Sequence, residues 1–198
     1  ALNVSLSTET PVAGSVPSGA TGVVFTCWDF RAGADAAMLK TLHVHRVGPG
    51  SNADFDNVYL YRGNERLTTG RTINSETQMV EFNNINQTIA PNENAKLCVV
   101  ADLVSGATGG VHTFELGSAA DVMTNSSDMK GSFPLRGADQ LITSGVVGTV
   151  TVRKNGSLPE ITVGEKDARI AQFELEANGQ EDLMLQRAAL YVRGSVDV

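Results

Sequence analysis

The chain has no run of apolar residues longer than short stretches such as "VVF" and "CVVA", far below the ~20 residues that a membrane-crossing helix needs. Basic clusters are also missing. No group of Lys and Arg exceeds two, and the formal net charge of -7 argues against nucleic acid or an anionic membrane as partner, since each calls for a concentrated basic surface. Aromatics make up 6% of the residues, with a single Trp, which leaves few rings for an exposed sugar-stacking platform. Nowhere does a helical apolar period last beyond one or two turns; "EDLMLQRAALYV" comes nearest, yet its upstream counterpart "AAMLKTLHV" flows into a strand pattern. No Gly-Xaa-Ser-Xaa-Gly elbow, phosphate loop or metalloprotease helix occurs, and the carboxylates are scattered over turns, so a non-enzymatic chain is expected. The chain opens at Ala1 without a basic and apolar leader, and the expectation is that any signal peptide or anchor was removed or lies outside this stretch.

What is present is alternation. "LNVSL", "TLHVHRV", "NVYLY", "QMVEF", "AKLCVVADL", "HTFEL" and "GTVTV" each switch between apolar and polar residues, the pattern of half-buried strands. Segments such as "RAGAD", "VGPGSN", "YRGNERL" and "SGATGG" supply the Gly, Pro, Asn and Asp of short connections. Many short strands at this spacing predict an all-β fold, an antiparallel β-sandwich of the Ig-like, Greek-key type.

The chain also writes one pattern twice. "FTCWDFRAGADAAMLKTLHVHRVG" and "IAQFELEANGQEDLMLQRAALYVRG" align with Phe30 on Leu175, Ala32 on Ala177, and Met38 and Leu39 on Met184 and Leu185. Each follows an alternating strand and a polar stretch containing Pro. The period of about 145 residues is that of a domain rather than of a solenoid unit. The organisation predicted is a complete module over 1–137, a linker over 138–146, and the first part of a second homologous module over 147–198. That second copy lacks counterparts of "NVYLY", "MVEF" and "KLCVVADL". Either it is a fragment of a longer array, the preferred reading, or a neighbouring subunit completes it by strand addition.

The order of strands, turns and core positions from "LNVSL" through "GATGVVF", "DFRAG", "NVYLY" and "CVVADL" resembles tandem β-sandwich modules of large bacterial cell-surface and S-layer-like proteins, notably those of candidate-phylum lineages. It spans Leu2 to about Arg136 well and the remainder in part. The resemblance implies an extracellular, structural or adhesive role, with neighbouring copies or adjacent modules as partners and no insertion into a membrane. A surface layer, filament or stalk is the leading expectation; the alternative is an adhesin module that binds carbohydrate or protein within such an array.

Four sets of residues are site candidates. Cys27 and Cys98 lie on strong strands with compatible phase, both pointing away from a core that Trp28 and Phe30 face. An even cysteine count in a surface-type domain invites a disulfide, and closing a loop of about 70 residues contributes ~4 kcal/mol in the chain-entropy account. Gln172 stands at the position matching Cys27 in the second copy, so bonded and free states both stay open. His43 and His45 alternate on one strand face, the geometry that presents two imidazoles to a metal; no third ligand is evident, and Tyr191 and Arg193 at the matching positions suit a solvated face. Asn52, Asp54 and Asp56 in "GSNADFDN" loosely echo a calcium loop but lack its Gly and terminal Glu, and turn chemistry accounts for them better. Calcium is thus the one cofactor considered. Sequons at Asn3, Asn86, Asn125 and Asn155 are expected by composition in a chain so rich in Ser, Thr and Asn.

Overall fold

In the computed structural model, residues 1–145, 148–158, 160–162, 164–178, 184, 185 and 188 are described. The chain divides into two compact units, 1–146 and 147–198. Among the described residues of the first unit the strands are β1 (Leu2–Leu6), β2 (Gly14–Pro17), β3 (Val23–Ala32), β4 (Ala37–Val47), β5 (Phe55–Arg62), β6 (Glu65–Arg66), β7 (Met79–Phe82), β8 (Gln87–Ile89), β9 (Asn94–Leu103), β10 (Gly110–Leu116), β11 (Val122–Thr124), β12 (Met129–Lys130), β13 (Leu135–Arg136) and β14 (Gln140–Thr143). In the second unit they are β15 (Val150–Lys154) and β16 (Phe173–Ala177). The helical turns described are two short 3-10 turns, Asn52–Asp54 and Ala119–Asp121.

The first unit is an all-β sandwich. One sheet runs β12-β1-β3-β9-β5-β6, and the other runs β11-β4-β10-β14-β2, with β7 and β8 on β4 and β13 on β10. Pairing is antiparallel except for β1 with β12 and β14 with β2. Alternation explains the layering, because successive side chains of a strand point to opposite faces. Val4, Trp28, Phe30, Val58, Leu60, Leu97 and Val99 of the first sheet join Leu42, Val44, Val80, Phe82, Phe114 and Leu116 of the second in one buried cluster. Trp28 belongs to this cluster, fully buried, with its indole Nε1–H donating to the Leu135 carbonyl at 2.9 Å. A β-bulge between Val24 and Thr26 changes the phase of β3, so both Phe25 and Thr26 are buried. Phe25 packs edge-on to Phe114 at 5.4 Å between ring centres, and the Thr26 hydroxyl donates to the Phe114 carbonyl at 3.0 Å, tying the sheets together.

The stretch expected to be a linker, 138–146, carries β14, which pairs with β10 on one side and β2 on the other. Gln140 and Ile142 are buried; the sandwich therefore extends past Gly137. In the second unit, β15 and β16 pair antiparallel with Val150 opposite Ala177 and Val152 opposite Leu175. β1 and β3 pair in the same way, Leu2 opposite Ala32 and Val4 opposite Phe30. Tyr191 and Arg193, the residues matched to His43 and His45, lie outside the described residues.

Candidate functional site

The two cysteines face each other across the β3–β9 register and are bonded, with Sγ atoms 2.08 Å apart. Their neighbours Trp28 and Leu97, also paired across the register, occupy the core, so the bridge lies on the outer side of its sheet. Cys27 is nonetheless buried, while Cys98 is half-buried. Ser7 N–H and the Thr10 hydroxyl both donate to the Cys27 carbonyl, and the Cys27 N–H donates back to the Thr10 oxygen. On the same outer face the Tyr59 hydroxyl donates to Asp102 at 2.8 Å, which raises the phenol above its usual range, chiefly through that hydrogen bond and then through burial. The Arg66 guanidinium lies 5.3 Å above the Tyr59 ring, so this aromatic face is already engaged by a cation.

Asn52, Asp54 and Asp56 do not converge as a cation loop would require. The Asn52 side-chain oxygen accepts from Arg46 Nε, and Asp56 accepts from its neighbour Asn57. Asp54 turns inward. One of its oxygens accepts from the Thr108 N–H at 2.7 Å and the Thr108 hydroxyl at 3.1 Å, while the other meets His112 Nε2 at 3.0 Å. Both Asp54 and His112 are buried. Across the imidazole, Arg46 Nη1 lies 3.3 Å from His112 Nδ1. A guanidinium only donates, so Nδ1 is the bare nitrogen, Nε2 carries the proton that goes to Asp54, and the ring is neutral. Burial holds His112 below the ordinary histidine range; the Asp54 hydrogen bond opposes this and the Arg46 charge reinforces it. Arg46 is itself lowered by burial, with Asp54 opposing. Gly50 is required here, because a Cβ on it would fall 2.1 Å from the imidazole. The network ties the Gly48–Asp54 loop to β10.

His43 and His45 occupy the outer face of β4, opposite Glu81 and Met79 of β7 respectively. His45 Nε2 lies 3.2 Å from Asp121. Among the described residues no group of three His, Cys, Asp or Glu side chains gathers into a metal-holding cluster.

Beside these histidines lies an open groove of about 400 Å³, whose walls include Arg71, Asn74, Thr77, Met79, Glu81 and Asn83. Two elements shape it. β7 turns Val80 and Phe82 into the core and thereby presents Met79 and Glu81 outward. Arg71 is fixed by a two-way backbone pairing with Val58, 2.8 and 2.9 Å. The loop between them is held by Asn74, whose Oδ1 accepts from the N–H groups of Glu76 and Thr77, and by Gln78. That residue has a left-handed φ of 57°, a conformation a non-glycine residue adopts only when its surroundings enforce it. Here the enforcement comes from Arg46, whose backbone N–H and Nη2 both donate to Gln78. The buried Asp54–His112–Arg46 network therefore anchors one wall of the groove. Arg71 Nε is buried and has no hydrogen-bond partner.

Sequence reasoning did not single out His112, Arg46 or Arg71. A signal existed for Arg46, which follows Leu42 and Val44 in the inward phase of β4 and so demands buried partners; those partners are remote in sequence.

Among the described residues no helix is long and apolar enough to cross a membrane. No family model matches the chain, and no curated protein matches it. Among solved structures it is similar to a family 123 glycoside hydrolase from Clostridium perfringens, studied for glycolipid glycan hydrolysis, with a TM-score of 0.40 and 11% identity. The match covers 71% of this chain but 26% of the hydrolase. The chain thus spans about a quarter of that enzyme, and at this score the likeness carries no argument about activity.

Proposed function

We propose that the chain is a non-enzymatic structural part of an extracellular surface assembly built from β-sandwich repeats. The observation that carries this reading is the shared register. β15 and β16 pair as β1 and β3 do, and Trp28, Phe30 and Ala32 align with Phe173, Leu175 and Ala177 at one constant spacing. Met184 and Leu185, aligned with Met38 and Leu39, border one apolar cavity together with Val150, Val152, Leu175 and Ala177. A bonded cysteine pair suits an oxidising, extracellular location, and the buried, sealed His112 network suits rigidity rather than turnover. Antibody against the 1–146 unit, applied to intact source cells, tests the location: labelling without permeabilisation is expected, and labelling only after permeabilisation overturns the reading.

A second reading is a carbohydrate- or protein-binding module carried within such an array. The groove around Arg71 favours it, because a preorganised polar concavity on a rigid scaffold is what a ligand site requires.

A further inference from the structure

We infer that His112 works as an acid-operated latch: a proton arriving on its Nδ1 expels the Arg46 side chain and thereby frees two surface loops together, 48–54 and 74–78. The device depends on neither reading of function. In the neutral ring Nε2–H faces Asp54 at 3.0 Å, and the bare Nδ1 accepts from Arg46 Nη1 at 3.3 Å. An imidazolium donates from both nitrogens and a guanidinium only donates. A second proton therefore sets donor against donor and cation against cation at the Nδ1 contact, and no reorientation of hydrogens repairs it. Burial holds the closed-state ring below its ordinary 6.5; the open state takes the proton more readily, so acid favours opening.

Arg46 is the partner that gives way. Asp54, from the 3-10 turn, attracts the imidazolium, and its other oxygen is held by the Thr108 N–H and hydroxyl. The ring itself is confined, with Phe55 of β5 edge-on at 4.9 Å between ring centres and Gly50 so close that a Cβ would fall 2.1 Å from the imidazole. Asp54 and, from β4, Arg46 are the charged groups that face it; Phe55 and Gly50 bring none. Arg46 in turn holds both loops through one side chain. Its Nε donates to Asn52 and its Nη1 to the Gly48 carbonyl at 3.1 Å in the first loop, and its Nη2 donates to Gln78 in the second. Gln78 has a left-handed φ of 57°, and without that contact it is free to return to the ordinary region of backbone space. The loops, remote in sequence, then open as one unit, while β3 and β9 stay paired and joined by the Cys27–Cys98 bond.

The test is a pH titration of the full 198-residue chain from neutral into acid, with imidazole nitrogen shifts and amide exchange protection read by nuclear magnetic resonance on one sample. His112 is expected to take up its proton below 6.5. In step with it, the hydrogen-bonded amides of Arg46, Asp54 and Gln78 should lose protection, by at most about tenfold per pH unit for one proton per opening. Amides of β3 and β9 should keep theirs. His112→Gln offers Asp54 an N–H and Arg46 an oxygen without titrating, so its loops should stay protected over the same range. Should that variant misfold, the wild-type titration still decides, because it reads ring and loops directly. Loops that loosen while the ring stays neutral overturn the inference, as does a protonated ring with both loops closed. So do loops that open at separate pH values, a first unit that unfolds in one step with no earlier local opening, and unchanged acid loosening in a folded His112→Gln.

Discussion

Replacing Trp28 with alanine is expected to remove a large share of the stability of the first unit. The side chain is fully buried, and truncating a buried Trp costs ~3 to 5 kcal/mol through lost burial and the cavity left behind. The indole N–H also satisfies the Leu135 carbonyl at 2.9 Å, and a buried acceptor left without its donor adds ~1 to 3 kcal/mol. The two contributions overlap, so the expected loss is roughly 4 to 6 kcal/mol against a typical total of about 5 to 15. For a chain of this size each kcal/mol moves the melting temperature by about 2 to 4 °C. Urea unfolding followed by far-ultraviolet circular dichroism gives the free energy directly. Trp28→Phe separates the contributions, because it retains most of the apolar bulk while deleting the donor, and ~1 to 3 kcal/mol is expected. A loss below about 1 kcal/mol for Trp28→Ala would place the residue outside the core. Equal losses for the two variants would refute the cavity part of the reasoning.

The double variant Cys27→Ala, Cys98→Ala should lose ~4 kcal/mol, since the bridge closes a separation of 71 residues in the unfolded chain; an unchanged urea midpoint would show that the bridge contributes nothing. Because burial holds His112 below its ordinary value of 6.5 in the folded chain, the unfolded chain takes up that proton first as the pH falls. That stability is therefore whole above about pH 6.5 and is lost on acidification below it, by at most about 1.4 kcal/mol per pH unit; identical pH slopes for wild type and His112→Gln would sink the idea. Gly50→Ala, whose Cβ would collide with the imidazole, should cost ~1 to 3 kcal/mol by forcing the ring or the loop to move, and a neutral outcome would mean the loop is not welded to β10. A chain ending at residue 146 should melt cooperatively, whereas one ending at Gly137, which strips β14 from between β10 and β2, should melt earlier; coincident melting curves would return β14 to the linker.

The strands were legible wherever alternation was clean. In "NVYLY" the residues Val58 and Leu60 are buried because a period of two puts one face inward, and the same rule placed Trp28 and Phe30. It also set both cysteines on the opposite side of their strands, though not whether they bond, since alternation fixes phase and pairing register decides contact. β14 was missed for a local reason. Its inward positions are Gln140 and Ile142, and a glutamine there reads as solvent-facing until its Nε2–H is seen donating to the Val12 carbonyl. The Asp54–His112 pair was illegible for a global one, because residues 58 apart in sequence are brought together by a sheet crossing that no local pattern encodes. The "GSNADFDN" loop was read from residue type and spacing as a turn or a loose calcium loop, whereas Gly50 leaves room for the His112 ring and Asp54 is buried.

The second unit carries its alternation without the burial that alternation serves. Val150, Val152, Phe173 and Leu175 are 46, 61, 48 and 50% exposed, while Leu2, Val4, Trp28 and Phe30 at the matching register positions are almost wholly buried. A two-stranded hairpin is marginal by itself in water, and a hairpin adapted to solvent would carry polar residues on both faces. On the repeat-array reading proposed above, strands equivalent to β9 and to the β4 sheet would lie over this apolar stripe. On this argument the chain's independent stability resides in the 1–146 unit, and substitutions such as Val152→Thr or Leu175→Thr should leave its melting unchanged. A fall in the melting temperature of the first unit would contradict that expectation.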